Sequence, residues 1–144
     1  MNGYMTKLQG YVYEGTLANG AGKPVPNGMI LVQGTGADAG KLVLPAADAN
    51  TKFLCMEVTD IFGGVPAYRF QVQEISKRYF LVENSFQFNV EEYQEYDKRD
   101  YTQPEGELMR AHALLLGDEF VTNCVTGTPA VGTAYGVKAD GTIG

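Results

Sequence analysis

The clearest pattern along the chain is a strict alternation at 67–73. In Ala67-Tyr68-Arg69-Phe70-Gln71-Val72-Gln73, the apolar Tyr68, Phe70 and Val72 fall on one side and Arg69, Gln71 and Gln73 on the other. A period of two is that of a half-buried β-strand. Phe86, Phe88 and Val90 alternate in the same way with Gln87, Asn89 and Glu91. Shorter apolar runs predict further strands at 8–13, 29–33, 42–44, 52–58, 79–83 and 86–93, then at 108–116, 119–125 and 134–138. The run at 108–116 also contains good helix formers. Strand is favoured because Gly117-Asp118 and the β-prone Phe120-Val121-Thr122 follow at hairpin distance.

Turn dipeptides punctuate these runs. Asn19-Gly20, Asn27-Gly28, Gly34-Thr35-Gly36, Gly63-Gly64, Gly117-Asp118 and Asp140-Gly141 recur at short spacing. That rhythm predicts a mainly β fold, a single-domain β-sandwich or barrel with long loops and at most one or two short helices. The helical alternatives are one turn at 45–50 and a short segment at 90–98, neither long enough to bury much face. No linker divides residues 1–144. The Gly- and Thr-rich tail at 126–144 is read as an arm, either frayed or ordered by pairing with a partner.

Composition narrows the class. The chain has 144 residues, 44% of them hydrophobic, enough for one domain with a real core. No apolar run approaches the roughly 20 residues of a membrane-spanning helix. Residues 1–8 hold one Lys and no apolar run, so no secretory signal is expected. The formal net charge is -6, which argues against a nucleic-acid partner, since such binding uses clustered cations. The charge is also uneven. Residues 1–72 carry five bases and five acids, and residues 73–144 carry six bases and twelve acids. Between 91 and 107, seven acids accompany only Lys98 and Arg99, with Tyr93, Tyr96 and Tyr101 interleaved. Such a run is either a solvated face or a partner-binding surface, because tyrosine supplies large amphipathic contact area. The candidate partner-binding residues are Tyr93, Tyr96, Asp97 and Tyr101.

Groups for chemistry are sparse. Cys55 and Cys124 lie 69 residues apart without CxxC partners, and His112 is the lone histidine. A zinc site needs about four closely paired ligands, so no metal or other cofactor is expected. Both cysteines sit among apolar residues and read as buried thiols, although the pair alone does not settle whether they bridge. His112 lies between Ala111 and Ala113, with no orienting carboxylate nearby in sequence, and reads as a structural or surface histidine. The two serines, Ser76 and Ser85, occupy no nucleophile elbow. The segment 34–40 looks like a phosphate-cradling loop but lacks the Lys-Ser/Thr and a following helix, so it reads as a turn. The expectation is a binding protein and not an enzyme.

Two stretches carry a resemblance. One is Asn27-Gly28-Met29-Ile30-Leu31-Val32. The other is Gly106-Glu107-Leu108-Met109-Arg110-Ala111 followed by Leu114-Leu115-Leu116-Gly117-Asp118-Glu119-Phe120, a long strand, a Gly-Asp turn and a return strand. Both resemble small β-rich virion proteins of tailed bacteriophages, in particular head decoration (cement or auxiliary capsid) proteins. The resemblance covers roughly half the chain. It implies a structural subunit, made in the host cytoplasm, that binds and stabilises the assembled capsid. Its partners would be the major capsid protein or other virion proteins, and it would often act as a homo-oligomer, with no membrane or nucleic acid involved. Another virion part (tail, neck or baseplate) and a carbohydrate- or receptor-binding module are the alternatives.

Overall fold

A computed structural model describes residues 5–9, 14–61, 65–83, 88–89, 94–95 and 102–144. The strands are β1 (Met5–Gln9), β2 (Glu14–Asn19), β3 (Val25–Pro26), β4 (Ile30–Gln33), β5 (Lys41–Val43), β6 (Asp48–Ile61) and β7 (Val65–Glu74). They continue as β8 (Tyr79–Val82), β9 (Phe88–Asn89), β10 (Gln94–Glu95), β11 (Thr102–Gln103), β12 (Leu108–Ala113), β13 (Glu119–Thr122) and β14 (Ala134–Val137). The helical content of the described residues is one 3-10 turn, Gly36–Asp38, in the loop between β4 and β5. The fold is therefore mainly β, a single small domain.

Two sheets share the work. Strands β12, β2, β5, β4 and β8 close into a small barrel, and β1, β13, β7, β6 and β14 form an open five-stranded sheet in that order. The alternation at 67–73 is realised in β7: Tyr68, Phe70 and Val72 are buried, while Arg69, Gln71 and Gln73 face the other way. These side chains join Phe53, Cys55 and Phe120 on the inner face of the open sheet. Phe53 and Phe120 meet edge to face at 5.7 Å between ring centres, a favoured arrangement of aromatic quadrupoles.

The two layers meet at β4 and β8. Tyr79 and Leu81 of β8, with Ile30 of β4, point out of the barrel into the sheet's aromatic core. Phe80 and Val82 of β8, with Leu31 of β4, point into the barrel against Leu42, Met109, Ala111 and Ala113. All four residues of β8 are buried. Successive side chains leave a strand on opposite faces, so Tyr-Phe-Leu-Val feeds two cores at once. A continuous apolar run is what such a doubly covered strand requires.

Several readings of the sequence meet a different arrangement. The strand at 108–113 forms, but it does not close a hairpin with the strand at 119–122. β12 pairs with β2 and β8, whereas β13 pairs with β1 and β7. The link between them bonds to the layers it crosses, with Leu114 N donating to Tyr79 O at 2.9 Å and Gly117 N donating to Val72 O at 2.9 Å. The segment 45–50 holds no helical turn, since β6 already begins at Asp48. The tail at 126–144 packs within its own chain, where Ala134 and Tyr135 pair with Leu54 and Phe53 of β6. Val137 and Ile143 are buried in the aromatic core. Gly141 serves close approach: it has φ +83, and a Cβ there would meet Met29 Cγ at 2.5 Å and Ile30 O at 2.9 Å. Of the helical alternative at 90–98, only Gln94–Glu95 is described, and it is a strand pairing with β9.

Candidate functional site

The chain leaves β12, makes a tight turn and enters β13. Asp118 N donates to Leu115 O at 3.1 Å, and Asp118 Oδ2 accepts from Leu115 N at 3.0 Å. Gly117 takes φ +85 at the third position, which favours glycine. The turn is tied from both ends, so its remaining side chains have no choice of direction. Leu115 is 47% exposed and Leu116 is 64% exposed. Tight turns ordinarily carry polar residues at such positions. Here two adjacent leucines are held in solvent.

Beside them runs a groove of about 480 Å³, lined by Ile75, Ser76, Lys77 and Arg78 on one side and Ala113, Leu114 and Leu115 on the other. Its floor is apolar, and Lys77 and Arg78 place two cations on its rim. Arg78 also lies over the Phe80 ring, with its guanidinium carbon 5.3 Å from the ring centre. That cation–π contact fixes the arginine stem against the barrel. The groove is thus an apolar feature with two basic side chains on its rim.

What holds the 75–78 wall in place is a carboxylate. Asp48, at the start of β6, accepts hydrogen bonds from Ser76 Oγ, from Tyr79 Oη at 2.6 Å and from Thr51 Oγ1 at 2.9 Å. It also accepts from Asn50 N at 2.9 Å. Thr51 Oγ1 accepts in turn from Ser76 N at 3.1 Å. The hydroxyls of Ser76 and Tyr79 hold the Asp48 carboxyl well below the usual carboxylate range. Burial, reinforced by the adjacent Asp48, pushes the Tyr79 phenol up to about 12. The anion stays charged and the phenol stays protonated, so the clamp persists across the neutral range. It spans β6, the β7–β8 turn and β8, and it fixes the groove wall before any partner arrives.

Tyr93, Tyr96, Asp97 and Tyr101, the partner-binding residues expected from the sequence, lie outside the described residues. The structure neither joins them to the groove nor separates them from it. His112, for which the sequence offers no nearby carboxylate, has one in space: its Nε2 lies 2.8 Å from Glu83 Oε1. The β8–β12 pairing brings them together across 29 residues of sequence. Among the described residues, its Nδ1 is buried without a hydrogen-bond partner. The pair sits among barrel strands rather than at the groove. Cys55 and Cys124 are both buried and free. Burial pushes both thiols up, that of Cys124 to about 12, so neither is a ready nucleophile at neutral pH. Among the described residues, no three His, Cys, Asp or Glu side chains come together as a metal site.

The groove itself was not anticipated. Leu114-Leu115-Leu116 reads naturally as the end of a buried strand, and Ser76-Lys77-Arg78 as an ordinary polar turn. One signal was available: three leucines run directly into Gly117-Asp118, and a turn there leaves the last of them unburied. Comparison of the chain with protein-family models, with curated proteins and with solved structures returned no match.

Proposed function

We propose that this chain is a structural virion protein of a tailed bacteriophage, a head decoration subunit that binds the assembled capsid and stabilises it. The observation that carries the reading is the pair of solvent-held leucines beside a cation-rimmed apolar groove on a pre-fixed turn. Exposed leucines cost solubility unless something covers them. A wall fixed by the Asp48 clamp loses little further entropy on docking, which favours affinity. The resemblance of 27–32, 106–111 and 114–120 to decoration proteins supplies the kind of partner. Function of this kind requires fit and copy number, because many weak contacts on a repeating lattice add through multivalency. The reading is one of binding rather than catalysis, with the major capsid protein or another virion protein as partner.

The test is to mix purified protein with undecorated capsids from the same source. Saturable, stoichiometric binding is the expected result, and failure to bind overturns the reading. Leu116→Asp puts a charge on the turn without touching the core. It is expected to weaken capsid binding at least tenfold while leaving the thermal midpoint within about 2 °C of the parent, as surface changes do. The tyrosine-rich acidic stretch is a second candidate contact, tested by Tyr93→Ala and Tyr96→Ala in the same assay.

A further inference from the structure

The hairpin of β6 and β7 is longer than the sheet that flanks it. β14 and the residues before it accompany β6 only as far as Cys55, whose N donates to Thr133 O at 3.0 Å and whose O accepts from Gly132 N at 2.8 Å. β6 continues to Ile61. Among the described residues, no strand pairs with that outer half on the side away from β7. On the opposite side of the hairpin, β13 covers β7 only from Tyr68 to Gln71. Beyond it stands Pro66, which has no N–H to offer. One edge is therefore blunted by proline, a common protection of sheet edges. Among the described residues, the other edge is left open.

The hydrogen-bond parity of that open edge follows from the ladder. Val72 N and O bond toward β13, to Asp118 O and Gly117 N. By alternation, Arg69, Ala67 and Val65 of β7 bond toward β6, opposite Glu57, Thr59 and Ile61. The irregularity between Cys55 and Glu57 makes Met56 the extra residue of a bulge. The main-chain groups that face away from β7 past the bulge are then those of Val58 and Asp60. Met56 is 38% and Val58 46% exposed, so the open edge is also partly apolar.

From this geometry we infer that two copies of the chain pair through this edge, β6 against β6 and antiparallel, about a two-fold axis at Thr59. The edge is complementary to a second copy of itself, and its residues select the register. With the axis at Thr59, Val58 of each copy lies opposite Asp60 of the other, and both have outward-facing N–H and C=O groups, giving about four main-chain hydrogen bonds in all. Glu57 then falls opposite Ile61 and Thr59 opposite Thr59, a pairing that suits sheets. No two carboxylates oppose each other. An axis at Asp60 would set two aspartates face to face. An axis at Val58 would set Asp60 against the bulge at Met56, where the ladder is interrupted. The contact is small, so the dimer is of the weak class, formed at high local concentration. The inference stands on the hairpin and does not depend on the capsid reading.

Cysteine cross-linking tests the register. In the full chain, Thr59→Cys places two thiols at a non-hydrogen-bonded pair, with Cα atoms about 4.5 Å apart, within disulfide range. Glu57→Cys places them about 14 Å apart along the strand. Cys55 and Cys124 are buried and serve as a silent background. Under mild oxidation at high protein concentration, the Thr59→Cys chain is expected to form disulfide dimers at least tenfold faster than the Glu57→Cys chain. Adding Val58→Pro removes an outward N–H without touching the β6–β7 ladder, and is expected to abolish that advantage. Asp60→Pro is the second variant of the same kind. Circular dichroism confirms that each remains folded. Equal rates for the two cysteine positions, or no dimer from either, overturn the inference. So does a Thr59→Cys rate unchanged by both prolines.

Discussion

Asp48 is a single carboxylate around which a local structure is organised. It collects the hydroxyls of Ser76, Tyr79 and Thr51, which the chain delivers from three places. Hydrogen bonds to a charged group contribute about 1.5–3 kcal/mol each, and they are not additive. Asp48→Ala is expected to lower unfolding free energy by about 3 kcal/mol, measured by urea denaturation, and to loosen the groove wall. The phenol of Tyr79 gives the pH dependence its sign. Its folded value is raised to about 12 from an ordinary value of 10. The folded state therefore holds the proton more tightly, and the contribution is complete below pH 10 and lost as pH rises toward 12. The Cys124 thiol, raised to about 12 from 9, acts in the same direction from about pH 9. Stability is expected to fall steeply above pH 9, and Tyr79→Phe is expected to flatten the upper part of that fall. Asp48 works at the other end: its lowered value makes its contribution present at neutral pH and lost as the pH falls below the ordinary aspartate range. Gly141 is another residue whose identity is dictated. Gly141→Ala is expected to cost about 2 kcal/mol, since positive φ and the Ile30 carbonyl both oppose a side chain.

At the scale of elements, β14 and the final residues decide whether the open sheet has a finished edge. Removing 132–144 takes away the pairing with β6 and the buried Val137 and Ile143. Burying side chains of this size contributes about 1.5–3 kcal/mol each. The truncated chain is expected to lose its cooperative thermal transition, or to show it at least about 10 °C lower by calorimetry. The sequence makes much of this level legible. Alternation in 67–73 reads directly as β7, because burial on one face leaves a period of two. Strand type at 108–113 is also legible. Pairing is not: Gly117-Asp118 is a turn, yet what β12 and β13 pair with depends on contacts from residues far away along the chain. The docked tail was obscured by its glycines, which look like freedom when read in order but permit close packing once Ile30 is alongside. The Asp48 clamp was hidden for the same reason, since Ser76 lies 28 residues from Asp48.

For the whole molecule, barrel and sheet form one body because β4 and β8 belong to both cores. Phe80 and Leu81 are neighbours in sequence but lie in different cores. Calorimetry is expected to show a single unfolding transition, and Phe80→Ala, inside the barrel, is expected to lower it by an amount comparable to Phe70→Ala in the sheet. Each such truncation costs about 3–5 kcal/mol. Two separate transitions would show that the layers are independent. The position of β8 has a mechanical meaning as well. The groove wall at 75–78 runs straight into Tyr79, so a partner that pulls on the groove pulls on β8 along its length. β8 lies between β4 and β12, antiparallel to both. A pull along the strand loads both ladders in shear, with the bonds sharing the force instead of opening one at a time. A load applied at the groove along β8 is therefore met by two ladders at once.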